Sequence, residues 1–112
     1  MIYNEIAQAI SKLNLPGLSK VILFGSAARG SNTALSDIDI AIITSELIKR
    51  AERRMIVQAV SKFETPESML EINCLYATEE DLSGANRWSD PCTDIREDGI
   101  VLWQKEVPAG HI

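Results

Sequence analysis

Residues 21–43, VILFGSAARGSNTALSDIDIAII, constrain the fold more than any other stretch of this 112-residue chain. Residues 21–24 form a short apolar run that is typical of a buried strand, and Gly25-Ser26 ends it abruptly. Ser26 can cap a first helical turn and Gly30 can end it, so the sequence predicts a strand, a tight turn and a short helix. The backbone N–H groups at such a helix start are well placed to bind a phosphate.

A second buried strand follows, with two carboxylates at its start. Asp37 and Asp39 alternate with Ile38 and Ile40, and the apolar run continues to Ile43. Since residues two apart on a strand share a face, the two carboxylates leave the backbone roughly 6–7 Å apart. At an effective dielectric constant near 20, charges at that separation repel by about 2–3 kcal/mol, so we expect a cation to neutralise them. Oxygen ligands shared with substrate phosphates suit Mg²⁺ or Mn²⁺.

Single residues exclude two rival motifs. A P-loop requires Gly-Lys-Ser/Thr, where this chain has Gly-Ser-Asn at residues 30–32. An EF-hand counted from Asp37 requires glycine at its sixth position, which is Ile42. A plainer alternative stays open, in which Ser36 only caps a turn and Asp39 is a solvated strand residue.

The spacing of Gly25-Ser26 and Asp37-Ile38-Asp39 resembles the signature of the DNA polymerase β-like nucleotidyltransferase superfamily. The fuller strings FGSAARG and SDIDI are similar to those of stand-alone minimal nucleotidyltransferase (MNT) proteins, which are often encoded beside a HEPN-domain partner. The resemblance implies a metal-dependent enzyme that transfers AMP from ATP to a hydroxyl acceptor. It further implies that the acceptor is a tyrosine of a HEPN toxin, for which this chain would be the antitoxin.

The resemblance also implies the site residues. Asp37 and Asp39 are expected to be catalytic and to hold Mg²⁺ or Mn²⁺. The residues expected to bind the nucleotide are Gly25, Ser26 and Arg29. For Arg29, the motif of the superfamily favours bracing of the loop over contact with the phosphates, so it ranks second.

A third carboxylate is usual in this superfamily, on a strand that we predict over residues 69–76. Glu71 and Asn73 are two apart there and share a face. Alignment of the acidic residues 79–81 to the usual spacing selects Asn73, whereas the pattern of an acid between apolar residues selects Glu71. We therefore predict Glu71 as the third catalytic and metal-binding residue, with Asn73 as the alternative that would weaken the case for activity.

Composition limits the class of protein. The length supports one domain, predicted over residues 1–112. A net charge of −5 argues against binding to long nucleic acids, which requires clustered Lys and Arg. Cys74 and Cys92 lack metal-ligand spacing and are interpreted as free thiols of a reducing compartment. With no apolar stretch of membrane-spanning length, we expect a cytoplasmic protein that does not bind membranes.

The rest of the chain predicts elements that cover and extend the sheet. A first helix is expected before Pro16-Gly17, on the apolar positions Ile2, Ile6, Ala9, Ile10 and Leu13. A second helix is expected over residues 46–63, capped by Thr44 or Ser45, with an apolar stripe of Ile48, Ala51, Met55, Ala59 and Phe63. Residues 78–81 are expected to be a capped acidic stretch, residues 86–96 a loop and short helix, residues 100–103 a terminal strand, and residues 107–112, which include His111, a tail.

These elements predict an α/β fold: a single small domain with a mixed β-sheet flanked by helices, of the nucleotidyltransferase palm type that the resemblance implies. Trp88 and the basic residues 49–54 are candidate anchors for a protein partner. Two alternative functions stay open, a catalytically impaired nucleotide-binding module that acts by forming a complex, and a nucleotidyltransferase for small molecules of the antibiotic type. The sequence also leaves open a homo- or a hetero-oligomer.

Overall fold

The computed structural model describes residues 2–25, 37–67, 70–82, 95 and 99–105. In chain order the elements are helix α1 (Ile2–Ser11), strands β1 (Leu18–Phe24) and β2 (Asp37–Thr44), helix α2 (Arg50–Ser61), strand β3 (Glu71–Thr78), helix α3 (Glu79–Leu82) and strand β4 (Ile100–Gln104). The strands form one sheet in the order β3-β2-β1-β4. Strand β1 is antiparallel to both β2 and β4, whereas β2 and β3 are parallel. The predicted α/β fold with a mixed sheet is therefore confirmed.

Both long helices pack on the same face of this sheet. Ile6 and Ile10 of α1 and Ile56 of α2 are fully buried, in one apolar core with Ile40 and Ile42 of β2. Burying an isoleucine side chain stabilises a fold by about 1.5–3 kcal/mol, so this layer supplies much of the driving force for folding. The alternation of Ile38, Ile40 and Ile42 in the sequence predicts a buried face, but not that both helices cover it.

The opposite face of the sheet carries a smaller core. Its buried members are Ile22, Ala41, Ile43, Ala77 and Ile95. Because side chains alternate along a strand, Asp37 and Asp39 project on this second face together with Ala41 and Ile43. The paired carboxylates therefore lie on the side of the sheet away from α1 and α2.

Helix α2 begins later than predicted. Neither Thr44 nor Ser45 caps it: the Thr44 hydroxyl donates to the Glu46 carbonyl, and the Ser45 N–H donates to the Gly17 carbonyl at 2.9 Å. The helix starts at Arg50, after Lys49, whose backbone N–H donates to Glu52 Oε1 at 3.1 Å. The prediction of a helix start near residue 46 is thus wrong, because those hydrogen-bonding groups are used in turns.

The apolar stripe of α2 is displaced for the same reason. Its buried residues are Ile56, Ala59 and Val60, whereas Ala51 and Met55 are exposed. Ile48 is buried, but it lies before the helix and so cannot fix the helical phase. A stripe counted from Ile48 therefore starts in the wrong register.

The remaining predictions differ in how far the structure describes them. Strand β3 ends two residues later than predicted and β4 one residue later. The predicted cap of the acidic stretch is present, since Thr78 N–H donates to Asp81 Oδ2 and Asp81 N–H donates to Thr78 Oγ1, both at 3.1 Å. Apart from Ile95, which is helical and buried, residues 86–96 lie outside the described residues, as does the predicted tail. No helix in the described ranges is long and apolar enough to cross a membrane.

Candidate active site

Gly25 directly follows strand β1 and has a backbone conformation that suits glycine alone. Its φ is 75°, in the left-handed region that residues with a Cβ rarely adopt. A Cβ built there would also overlap Asp39 Oδ2. Glycine is thus required at this position both by its own backbone and by the carboxylate beside it.

The carboxylates of β2 meet the end of β1 at one edge of the sheet. The antiparallel register pairs Asp39 with Phe24, the last residue of β1. Asp37 is the first residue of β2 and is exposed, whereas Asp39 is half-buried. The structure therefore brings the glycine that follows β1 and the second aspartate of β2 next to each other.

Strand β3 adds two polar side chains to the same face. The parallel register pairs Asp37 with Glu71 and Asp39 with Asn73. The Asn73 side chain donates from Nδ2 to Asp39 Oδ1 at 3.3 Å. Glu71 and Asn73 thus occupy distinct places, and the side chain in contact with Asp39 is an amide.

The start of β3 is held by a residue that sequence reasoning missed. The Ile72 N–H donates to Glu64 Oε2 at 2.8 Å, which ties the strand to the turn after α2. Because Ile72 lies between Glu71 and Asn73, this contact helps to fix both of them against β2. Glu64 stands in a polar stretch with no periodic pattern, so nothing in the sequence marks it.

The donor set of this site fits a hard divalent cation. Asp37 and Asp39 offer carboxylate oxygens on one face, and Mg²⁺ is commonly held by one or two carboxylates with water and substrate phosphates. In the described parts of the chain, no group of three His, Cys, Asp or Glu side chains is close enough to hold a metal ion. Glu71 is therefore not brought into a three-carboxylate cluster here, and its role stays a prediction. Ser26 and Arg29 lie outside the described residues.

Cys74 and Tyr76 lie on the other face of β3, under the helices. Burial raises the pKa of the Cys74 thiol to about 11, so the thiol is protonated at neutral pH. Burial also raises the pKa of Tyr76 to about 12, and the Arg53 guanidinium lies 4.9 Å from the centre of its ring. Neither side chain belongs to the site.

A family comparison agrees with this geometry. Residues 4–105 match the model of the family described as Polymerase beta, Nucleotidyltransferase. The chain belongs to the polymerase β nucleotidyltransferase family. The match extends over both site strands and the sheet that holds them, well beyond the Gly-Ser and Asp-Ile-Asp motif on which the resemblance rests.

This chain is similar in sequence to a protein from an archaeon and similar in fold to several solved structures. An inferred protein adenylyltransferase from Methanocaldococcus jannaschii is 36% identical over 62 residues, which cover 55% of this chain and 63% of the relative. This chain thus matches less than two thirds of that protein's length. A chain of a toxin–antitoxin complex with AMP-PNP is 22% identical with a TM-score of 0.63, over 92% of this chain and 74% of that chain.

A second similar solved structure is a complex from Shewanella oneidensis, in which a tri-AMPylated HEPN toxin is bound to an MNT antitoxin. A chain of it is 20% identical to this one, with a TM-score of 0.51, over 89% of this chain and 73% of that chain. At these identities, the two solved structures establish that this chain shares their fold.

Proposed function

We propose that this protein transfers AMP from ATP to a hydroxyl group of a protein partner, in a reaction that requires Mg²⁺ or Mn²⁺. One observation carries the proposal: in a nucleotidyltransferase family member, Asp37 and Asp39 share the face of β2 away from α1 and α2, beside the Gly25 turn. That arrangement puts a cation site next to a backbone turn that a phosphate can approach closely.

Each residue has a part in the proposed reaction. Asp37 and Asp39 hold the cation, and Gly25, Ser26 and Arg29 orient the phosphates of ATP. The acceptor oxygen forms a bond to the α-phosphorus, the bond to pyrophosphate breaks, and the hydroxyl proton passes to a base, for which Glu71 is our candidate. A bound divalent ion supplies charge neutralisation to the triphosphate and to the leaving pyrophosphate.

We infer that the acceptor is a tyrosine of a HEPN-type toxin and that the chain acts as its antitoxin. A relative named for protein adenylylation and a similar complex with an AMPylated HEPN toxin support this assignment. The site geometry is compatible with it, since α1 and α2 cover the other face of the sheet and leave the carboxylates accessible to a second protein. ATP as the donor is supported by the similar structure with AMP-PNP.

We also propose one domain for residues 1–112 and a cytoplasmic location. The described strands join in a single sheet with a core on each face, which is what one domain requires. Cys74 is a free thiol, as expected in a reducing compartment.

Co-expression with the protein encoded beside this chain, followed by intact-mass spectrometry, tests the proposal. We expect a stable complex in which the partner carries one or more added AMP groups, and peptide mapping should locate them on tyrosine. A complex without added mass would remove the transferase activity from the proposal. The absence of any complex would remove the partner as well.

A second candidate function is a binding module that retains the nucleotide site without turnover. Asn73 favours it, because an amide stands beside Asp39, at one of the two positions that the resemblance allows for the third carboxylate of the superfamily. Such a module would still bind ATP with Mg²⁺ and would still form the complex with its partner. In the co-expression experiment, however, the mass of the partner would be unaltered.

Replacing Glu71 by glutamine should lower AMP transfer by about 10²-fold or more and change ATP affinity by less than about threefold, since only a carboxylate can accept the acceptor's proton. Single-turnover transfer and ATP titration measure the two quantities separately. Glu67→Gln, an exposed carboxylate in the turn before β3, is the matched control. Wild-type turnover in Glu71→Gln would end the assignment of the third carboxylate.

A further inference from the structure

Asn73 is the neighbour of Asp39 on the adjacent strand. The parallel register pairs the two residues, and the amide of Asn73 donates to Asp39 Oδ1 at 3.3 Å. An asparagine side chain brings two N–H donors and no charge to this position, whereas an aspartate would bring only acceptors and a negative charge. The contact is therefore attractive without a metal ion, which a pair of carboxylates could not be.

Asp39 is constrained on its other side as well. Its Oδ2 occupies the space next to Gly25 in which a Cβ would stand. One carboxylate oxygen thus accepts a hydrogen bond from Asn73 on β3, and the other lies beside Gly25 at the end of β1. Both oxygens of the Asp39 carboxyl group therefore have defined neighbours, although the residue is only half-buried.

The charges around Asp39 oppose that placement. Asp37 stands on the same face of β2, roughly 6–7 Å along the strand. Glu71 is paired with Asp37 on β3, about 4.8 Å away at the backbone. Asp37 and Glu71 are therefore like charges near Asp39, although the three side chains are not close enough to share a metal ion. A neutral hydrogen-bond donor beside Asp39 offsets this repulsion before any cation arrives.

We infer that Asn73 is a positioning residue, which holds the Asp39 carboxylate in its metal-binding orientation in the metal-free protein and is not itself a third metal ligand. This inference rests on the proposed function only in treating Asp39 as a metal ligand. It has two consequences. The site is preorganised without metal, and its affinity for a free divalent cation is low, because two aspartates supply the negative charge and no third acid adds to it.

Thermal unfolding in EDTA tests the contact itself, apart from any activity. Asn73→Ala should lower the melting temperature by about 2–4 °C, and the isosteric Asn73→Asp by more, since it replaces a donor by a repelling charge. In an Asp39→Ala background, Asn73→Ala should leave the melting temperature unchanged because its partner is gone. Gln58→Ala, an exposed amide on α2, is the matched control. Circular dichroism verifies that each variant is folded.

Titration with Mn²⁺ alone, followed by electron paramagnetic resonance of the free ion, tests the role of Asn73 toward the metal. Asn73→Asp should tighten Mn²⁺ binding by about tenfold, because the site gains a third carboxylate. Asn73→Ala should weaken it by less than about fivefold. Asn73→Asp should thus lower the stability of the metal-free protein and raise its affinity for Mn²⁺, a pattern that a merely structural residue would not give.

The inference is overturned if Asn73→Ala leaves the melting temperature in EDTA unchanged, or lowers it equally in the Asp39→Ala background. It is also overturned if Asn73→Ala weakens Mn²⁺ binding by more than about 20-fold, which would make the Asn73 carbonyl oxygen a ligand. A failure of the proposed function gives a different result, with no AMP transfer and no ATP binding while the coupling in EDTA persists.

Discussion

Replacing Asp37 and Asp39 together by asparagine is expected to reduce the proposed AMP transfer by at least about 10³-fold, because both carboxylates that would hold the cation are removed. ATP affinity in Mg²⁺ should fall to the value measured for the native protein in EDTA. The fold should be retained, since asparagine has the same shape, Asp37 is exposed and Asp39 only half-buried. An amide at position 39 can still accept the hydrogen bond from Asn73.

Calorimetric titration with ATP, in Mg²⁺ and in EDTA, measures this effect directly. Glu46→Gln is a suitable control, because Glu46 is an exposed carboxylate that follows the opposite end of β2. ATP binding that responds neither to EDTA nor to the double substitution would contradict the metal site. Removal of the repulsion between the two carboxylates should also leave the melting temperature in EDTA equal to or above the native value.

Gly25→Ala is expected to reduce ATP affinity and AMP transfer by about 10²-fold, and Gly25→Val to abolish both. The sequence predicts this from the close approach of phosphate to the backbone, and the structure adds a second cause. A methyl group at position 25 would displace the Asp39 carboxylate, and its backbone at φ 75° would be strained by roughly 1–2 kcal/mol. Such strain is too small to unfold most domains of this size.

Gly17→Ala provides a matched control for that substitution. Gly17 precedes the opposite end of β1, and a Cβ there would lie 3.5 Å from Ser45 Oγ, an ordinary contact. Circular dichroism and ATP titration of both variants should show two native-like spectra and one loss of binding. Wild-type ATP affinity in Gly25→Ala, or unfolding of that variant, would make Gly25 a structural turn residue alone.

The strands that carry the site were predictable because their signals are local. Alternation of Asp37 and Asp39 with isoleucines fixes both the strand and the face of each side chain, and the order of elements then follows from apolar runs and turn residues. Such patterns depend on neighbouring positions along the chain, so they need no knowledge of the tertiary structure.

The contacts around Asp39 were not predictable in the same way. Whether Glu71 or Asn73 contacts Asp39 depends on the register of the parallel strands β2 and β3. A helix separates these strands along the chain, so their register is fixed by tertiary packing and not by a local turn. A shift of that register changes every cross-strand partner. The prediction of the apolar stripe of α2 was wrong for a related reason. The start of the helix is determined by hydrogen bonds from Ser45 to Gly17 and from Lys49 to Glu52.

Strand β4 reaches the sheet from the far end of the chain, and this has a consequence for the order of folding. Its Val101 pairs with Ile22, so the β1–β4 pairing closes a much longer loop than the pairings of β1 with β2 or of β2 with β3. The entropy lost in closing a loop rises with its length, and distant pairings slow folding. Strands β1, β2 and β3 should therefore assemble before β4 docks. The corner of the sheet that we propose as the cation site, where Gly25 adjoins Asp39, should thus form early in folding.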